Sequence, residues 1–299
     1  MRRFAWMTLA GAVLVGAMTP SAQSGDSYEL DVVVTDRDGK PMMDLQQADF
    51  TITEDGKKVE PTSFTKVELK GSGTVEDGRT VIIVLDDTAP AVATDPLKTL
   101  AAALLQTASP KGGDRISIVR LHNTADKLAY DPTTVGARLN DFKAGVVPFS
   151  AGNTTEDFVQ LVTSLSGELA QPAHRRKAIV CVGSPGVCAI PARQQNSTGQ
   201  LWANWINAMT AMGKSNVSVY AFLPIKTSVG DGAITDESGG TAFSNANDFR
   251  PFAERVWSEM SNYYMISYAG QPASKDLRSI SVKVNKSGAR VHARKQRGK

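Results

Sequence analysis

The feature that constrains this chain most is a continuous apolar run that ends abruptly in two acids, within the sequence RTVIIVLDDTAP at residues 79–90. Because residues 80–85 show no polar alternation, the run predicts a strand buried on both faces, as in the centre of a parallel sheet covered by helices. Ligands of such open sheets bind beyond the carboxyl ends of the strands, which is where Asp86, Asp87 and Thr88 fall. The alternative is that one of the two acids only begins a turn or caps the next helix.

The first 24 residues differ from the rest of the chain. Two arginines precede an apolar stretch over residues 4–18, and small residues follow up to Ser24. This order is typical of a secretory signal peptide over residues 1–24, so we expect a secreted or periplasmic mature protein. A retained membrane anchor is the alternative, but the apolar run is short and is interrupted by glycines. No later stretch is long and apolar enough to predict a stable membrane span after cleavage.

Charge and histidine content argue against a nucleic-acid-binding protein and against a metalloenzyme. The formal net charge of +3 is small for 299 residues, and much of the excess lies in a basic C-terminal tail. Such a tail is more often a solvated end than a surface for nucleic acid, so we expect no nucleic-acid partner. The three histidines are scattered, which makes a clustered metalloenzyme site an unfavoured interpretation.

The two cysteines, Cys181 and Cys188, are separated by six residues. In an oxidising compartment they can close a small disulfide loop. The alternative is that a buried Cys181 behaves as a small hydrophobic residue on a strand. The sequence leaves both interpretations open.

Hydrophobic periodicity divides the mature chain into three parts. Short alternating segments with turn sequences predict strands within residues 25–70. Over residues 79–261 strand and helix patterns alternate, which predicts an α/β domain with a doubly wound, mostly parallel sheet. Alternation returns in residues 262–299, which end in the basic tail. Because a few short strands are unstable alone, we expect the two ends to pair in a small β-sandwich interrupted by the α/β domain, with residues 70–78 as a linker.

Within the α/β part, the pattern predicts a regular succession of elements. The predicted strands are at residues 80–85, 115–121, 177–182, 217–223 and, shorter, 239–243. The predicted helices are at residues 94–108, 132–142, 154–169, 198–213 and 247–260. A weaker pattern at residues 126–130 predicts a hairpin-like stretch.

A set of motifs in these elements resembles the von Willebrand factor type A domain. The set contains the strand that ends in Asp-x-Thr at residues 86–88, GDRISIV at 113–119 and GNT at 152–154. With DFTITEDGK at 49–57 and SGGTAF at 238–243, the chain is similar to secreted bacterial proteins related to von Willebrand factor A. The resemblance covers most of the mature chain and implies a Rossmann-like fold with a binding function.

The resemblance also implies a divalent-cation site, the metal-ion-dependent adhesion site, built from Asp-x-Ser-x-Ser, a later Thr and a final Asp. In this chain Asp86, Thr88 and Thr154 occupy matching positions and are the candidate metal ligands. Pro90 stands at the place of the second Ser, and Ser184 at the place of the final Asp. Since hard cations gain affinity from carboxylate charge, we expect a degenerate site with no ion or with weakly bound Mg²⁺.

These residues favour a binding, adhesion or scaffolding protein over an enzyme. The candidate binding residues are Asp86, Asp87, Thr88, Thr154 and Ser184. Asp87 is the one neighbour able to compensate for a missing ligand, but successive residues of a strand point in opposite directions. We expect the partner to be an extracytoplasmic protein or another component of the cell envelope.

The alternative is an extracytoplasmic enzyme, a hydrolase or a phosphatase-like protein, that uses Asp86 or Asp87. Phosphatases similar to haloacid dehalogenases place a second Asp two residues after the first, where this chain has Thr88. The sequence GSPG at residues 183–186 lacks the spacing of a nucleophile elbow, and Pro185 has no N–H for an oxyanion hole. Neither enzyme pattern is therefore complete.

Overall fold

The computed structural model describes residues 27–69, 78–108, 113–170, 176–190, 199–224, 233–244, 249–271 and 275–298. The predicted signal peptide and nearly all of the predicted linker lie outside these residues. Within the described ranges, no helix combines the length and the apolar character needed to cross a membrane.

The described residues form strands at both ends of the chain and alternating strands and helices between them. In chain order the strands are β1 (Ser27–Thr35), β2 (Phe50–Glu54), β3 (Lys57–Val59), β4 (Pro61–Glu68), β5 (Arg79–Leu85), β6 (Arg115–Arg120), β7 (Arg176–Val182), β8 (Val217–Leu223), β9 (Ala242–Ser244), β10 (Asn262–Ala269), β11 (Leu277–Val284), β12 (Arg290–Ala293) and β13 (Gln296–Gly298). The α-helices are α1 (Thr94–Thr107), α2 (Pro132–Asp141), α3 (Ala151–Glu168), α4 (Pro185–Cys188), α5 (Gln200–Ser215), α6 (Ile234–Glu237) and α7 (Arg250–Ser261).

A five-stranded parallel sheet with the order β6-β5-β7-β8-β9 forms the middle of the molecule. Every residue of β5 is buried, and alternate residues of this strand enter two different cores. Ile82 and Val84 pack in the core that α3 and α5 contribute to, whereas Val81 and Ile83 pack in the core of α1 and α7. The prediction of a parallel α/β sheet with helices on both faces, a Rossmann-like arrangement, is confirmed.

The two ends of the chain share two antiparallel sheets of four strands each. Their strand orders are β12-β1-β10-β4 and β13-β11-β2-β3, so each sheet combines strands from before and after the α/β part. Strand β1 pairs with β10 over six residues, and β2 pairs with β11 over five. A single apolar cluster takes Val32 and Tyr264 from the first sheet and Ile52 and Ile280 from the second. The expected pairing of the two ends is therefore present.

A buried ion pair connects β1 to the parallel sheet. The Arg176 guanidinium, at the start of β7, donates to Asp31 Oδ2 at 2.8 Å, and both side chains are almost completely buried. The Asn216 side-chain amide, between α5 and β8, donates to the same oxygen at 2.7 Å. These contacts hold the antiparallel strands against the α/β part.

Two local predictions were wrong. Residues 126–130 contain no strand, because the Asp126 carboxylate is hydrogen-bonded to Arg120, the last residue of β6. It accepts hydrogen bonds from the Arg120 backbone N–H at 3.0 Å and from the Arg120 guanidinium at 2.7 and 2.8 Å. Strand β9 begins at Ala242 and not at residue 239, because Gly239 has a left-handed φ of +83° and Gly240 lies against the backbone of Val219.

Candidate functional site

Three strand ends meet at the carboxyl edge of the parallel sheet. Asp86, Asp87 and Thr88 follow β5, which lies between β6 and β7. Ser184 follows β7, and His122 follows β6. The position of β5 between these strands allows the two adjacent aspartates to contact different neighbours.

The Asp86 carboxylate is fully buried and accepts four hydrogen bonds. Its Oδ1 accepts from the Thr88 N–H at 3.0 Å and from the Thr88 hydroxyl at 2.6 Å. Its Oδ2 accepts from the Ser184 N–H at 2.9 Å and from the Ser184 hydroxyl at 2.8 Å. Since an ionised carboxylate offers about four acceptor positions, neutral donors of the chain itself satisfy this group.

Close packing at Gly183 brings the two loops together. A Cβ at this glycine would lie 2.2 Å from Asp86 Cβ and 2.8 Å from Asp86 Oδ2, distances that no side chain tolerates. Cys181 and Cys188, which flank Ser184 in the sequence, form a disulfide that closes this loop, with an S–S distance of 2.00 Å. Both cysteines are fully buried, so the bridge fixes the segment that carries the Ser184 donors.

Asp87 turns toward β6 and binds His122 instead of joining Asp86. Its Oδ1 lies 2.7 Å from His122 Nδ1, and its Oδ2 accepts from the His122 backbone N–H at 3.2 Å. The other ring nitrogen, Nε2, lies 3.1 Å from Asp157 Oδ2 on α3. His122 is therefore held between a buried and a partly exposed carboxylate, with side chains 4% and 44% exposed.

The charges around His122 favour its protonated form. Burial disfavours the imidazolium, but the hydrogen bond and the charge of Asp87, together with those of Asp157, outweigh burial and raise the pKa of His122 above its usual value. The sequence reasoning did not select His122 or Asp157. The one available signal was that His122 follows the end of a buried strand next to β5, at the edge where Asp87 lies.

Thr154 does not join the Asp86 group. It is buried at the beginning of α3, where its hydroxyl oxygen accepts from the Ser150 N–H at 3.2 Å and its own N–H donates to the Ser150 carbonyl at 2.8 Å. Within the described ranges, no hydrogen bond connects it to Asp86 or Asp87. The structure thus joins Asp86, Thr88 and Ser184, and places Asp87 and Thr154 elsewhere.

This donor set does not fit a tightly held divalent cation. Within the part of the chain that the structure describes, no group of three or more His, Cys, Asp and Glu side chains is arranged to hold a metal ion. Asp86 is the single carboxylate of its group, and both of its oxygens already accept hydrogen bonds. Each missing carboxylate removes negative charge that a hard cation needs.

Exposed apolar side chains lie on the two loops that meet at Asp87. Val92, Val146 and Phe149 are 86%, 62% and 53% exposed, on the loops after β5 and after α2. These loops touch one another, since the Gly145 N–H donates to the Asp87 carbonyl at 3.0 Å. The Phe149 ring reaches the α4 loop, where a Cβ at Gly186 would lie 3.8 Å from it. We call Val92, Val146 and Phe149 the apolar rim.

The candidate site residues do not line the cavities that lie within the described residues. Three cavities within the described residues, of about 640, 510 and 290 Å³, take no lining residue from Asp86, Asp87, Thr88, Thr154 or Ser184. No family model matches the chain, and no curated protein gives a significant match. Its function therefore has to be inferred from the geometry.

Proposed function

We propose that this chain is an extracytoplasmic binding protein that uses the carboxyl edge of the parallel sheet to dock a protein of the cell envelope. One observation carries the proposal: the apolar rim is exposed on loops that meet at Asp87, beside aspartates whose carboxylate oxygens are already hydrogen-bonded inside the chain. Apolar patches of this kind, when contiguous, mark interaction surfaces on soluble proteins. The rim supplies the contact area, and the hydrogen-bonded loops hold it in place.

The fold supports a von Willebrand factor type A-like domain within a β-sandwich. Support for the first comes from the central β5 that ends in Asp86-Asp87-Thr88, and from the Gly152-Asn153-Thr154 sequence in the first turn of α3. Support for the sandwich comes from the apolar cluster that both antiparallel sheets share. In this proposal the metal-ion-dependent adhesion site is degenerate, and Thr88 and Ser184 stabilise Asp86 in place of a cation.

Two features support an extracytoplasmic location. The sequence of residues 1–24 has the order of a secretory signal. The Cys181–Cys188 disulfide is the kind of bond that persists in oxidising compartments. A mature chain outside the cytoplasm meets envelope proteins first, which is why we propose a partner from that compartment.

The enzyme alternative is less favoured by the same geometry. Asp86 is fully buried and hydrogen-bonded on both oxygens, so it presents no free oxygen for nucleophilic attack. His122 lies between two carboxylates, and its Nε2 faces Asp157 instead of a Ser or Thr hydroxyl. A catalytic dyad needs a nucleophile within hydrogen-bond reach of the base.

Capture from native envelope extract tests the docking surface. The immobilised mature chain, Phe149→Asp and Trp202→Ala are compared, each with Mg²⁺ and with a chelator. Trp202 is exposed at a different place and serves as the matched control. We expect wild type and Trp202→Ala to retain the same envelope protein, Phe149→Asp to lose it, and the chelator to have no effect. Equal retention by Phe149→Asp would contradict the proposal.

Calorimetric titration with Mg²⁺ tests the degenerate site separately. We expect no binding heat for wild type or for Asp86→Ala at micromolar to low millimolar ion. Micromolar binding that Asp86→Ala abolishes would show that the site holds a cation, and the four hydrogen bonds of Asp86 would then have to open on binding.

A further inference from the structure

A cleft lies where the antiparallel strands meet the α/β part, outside the proposed docking surface. Its volume is about 640 Å³, within the range of small-molecule sites, which often occur between domains. Strand β11 contributes Arg278 and Ser279, the β12–β13 segment contributes Gln296, and α5 and α6 contribute Trp202 and Glu237. We call this the Trp202 cleft.

Trp202 gives the cleft an exposed aromatic surface. The side chain is 37% exposed, whereas Trp205, less than one turn later, is buried. The indole N–H of Trp205 donates to Gln296 Oε1 at 3.2 Å, so Trp205 connects α5 to β13 next to the exposed Trp202. A partly exposed Trp beside polar groups offers an apolar face for a ligand that also forms hydrogen bonds.

The charged side chains of the cleft are largely neutralised by one another. Asp55 accepts from the Arg278 guanidinium at 2.8 Å and lies 3.9 Å from Lys275 Nζ. Lys295 Nζ forms an ion pair with Asp236 at 2.5 Å. Arg294 donates to the carbonyl oxygens of Met212 and Val217 at 3.1 and 2.8 Å. Because Lys275, Arg278 and Lys295 already face carboxylates, the cleft has no strong preference for an anion.

The part of the cleft floor between Leu277 and Ile280 offers no free main chain to an extended peptide. Leu277 to Ser279 of β11 pair with β13, and Ile280 to Val284 pair with β2. The Ile280 N–H donates to the Lys295 carbonyl at 2.7 Å. Main-chain capture of a peptide requires an unpaired sheet edge, which the floor between Leu277 and Ile280 does not offer.

We propose that the Trp202 cleft binds a short neutral oligosaccharide of two or three sugar units. The C–H face of a pyranose ring is apolar and matches the indole of Trp202, while its hydroxyls match planar polar groups such as those of Asp55, Arg278 and Gln296. Ion pairs and strand pairing fix these groups before a ligand arrives, which lowers the ordering cost of binding. This site is independent of the proposed docking surface, because it shares no residue with the apolar rim.

Titration with defined sugars tests the proposal. The mature chain is titrated with cellotriose, maltotriose and N,N′,N″-triacetylchitotriose, with trigalacturonic acid as the anionic comparison, by calorimetry and tryptophan fluorescence. We expect at least one neutral trisaccharide to bind with a Kd of about 1 mM or tighter. We expect binding to weaken at least about tenfold in Trp202→Ala, a loss typical of a removed aromatic contact, and to recover in part in Trp202→Phe.

The matched control is Phe149→Ala, an exposed aromatic residue of the apolar rim, which we expect to bind sugar as wild type does. Three results would overturn the proposal: no neutral trisaccharide bound at that affinity, binding of the anionic trisaccharide alone, or equal sugar binding by Trp202→Ala. Since Phe149 variants test the docking surface and Trp202 variants test the cleft, failure of one proposal is distinguishable from failure of the other.

Discussion

Asp86 and Asp31 are both buried, but the chain stabilises them in different ways. Asp31 faces the Arg176 guanidinium and the Asn216 amide, and it joins the antiparallel sheets to the parallel sheet. Asp86 accepts only neutral N–H and O–H groups, all from loops at one sheet edge. The Asp31 charge depends on Arg176, a cation from a distant part of the sequence. The Asp86 charge is stabilised by four neutral donors and is less dependent on any one of them.

Two buried arginines, Arg176 and Arg294, lie near Asp31. Arg176 is fully buried; burial opposes its charged form, but the charge of Asp31 dominates the balance with other groups and raises its pKa. Arg294 is also buried, and there burial, with a smaller contribution from Arg176, lowers the pKa to about 10. The charge of Asp31 therefore favours the charged forms of both arginines, and Asp31 forms an ion pair with Arg176.

The largest effect is expected when the Asp31 pair is broken. Arg176→Met leaves the Asp31 carboxylate buried beside a neutral amide, and we expect the free energy of unfolding in urea to fall by about 3–5 kcal/mol. The double variant Asp31→Leu with Arg176→Met should lose less than the sum of the two single variants, since neither Asp31 nor Arg176 is then left without the other, although Arg294 still loses its interaction with Asp31. A loss below about 1 kcal/mol for Arg176→Met would mean that stability does not depend more on the charged partner of Asp31 than on the neutral donors of Asp86.

A second effect concerns the disulfide that holds the Ser184 loop. Replacing Cys181 and Cys188 by Ala removes a bridge with a sequence separation of 7 residues. On the loop-entropy estimate we expect the free energy of unfolding to fall by about 2–3 kcal/mol. Thiol labelling of the unreduced, denatured protein checks the bridge itself, and two reactive thiols would contradict it.

A smaller effect is expected at Asp86 itself. Asp86→Asn keeps the shape but turns an amide N–H₂ toward the donors of Thr88 or Ser184, and we expect the free energy of unfolding to fall by about 1–3 kcal/mol. Ser184→Ala, which removes one hydroxyl donor and keeps the backbone N–H, should cost about 1 kcal/mol. A larger loss of stability for Asp86→Asn than for Arg176→Met would contradict this comparison. It would mean that a buried aspartate held by neutral donors is not less sensitive to substitution than one held by a charged partner.

The sequence predicted the parallel sheet and its edge because those features follow from local pattern. The unbroken apolar run of β5 required burial on both faces, and its carboxyl end fixed where Asp86 and Asp87 lie. The pairing of the two chain ends was also predictable, because short alternating segments at either end need partners. Most helix and strand positions followed from the change of period between these regions.

The partners of the aspartates were not predictable in the same way. The contacts of Asp86 with Ser184 and of Asp87 with His122 depend on β5 lying between β7 and β6, at sequence separations of 98 and 35 residues. The sequence matched Ser184 to an acid position but gave no sign that its N–H and hydroxyl both donate to Asp86. At residues 126–130 the hairpin prediction was wrong because side-chain hydrogen bonds to Asp126 outweighed a weak local pattern.

The smallest effect on stability is expected at His122, a titratable residue that contacts the buried Asp87. Its folded-state pKa is raised, so its contribution to stability is complete below the unfolded pKa of about 6.5 and is lost as pH rises through the folded value. We therefore expect the stability difference between wild type and His122→Gln to shrink as pH rises above about 6.5, measured by urea unfolding between about pH 5 and 8.

The matched control for this pH dependence is His292→Gln. Burial lowers the pKa of His292, so that histidine contributes a stability difference of opposite sign, which grows as pH falls below its unfolded value. Because the His122 side chain is 18% exposed, water screens part of its interaction with Asp87 and Asp157, and its effect should stay below that of the Asp31 pair. A stability difference for His122→Gln that is independent of pH would mean that the Asp87–His122–Asp157 contacts act through neutral hydrogen bonds alone.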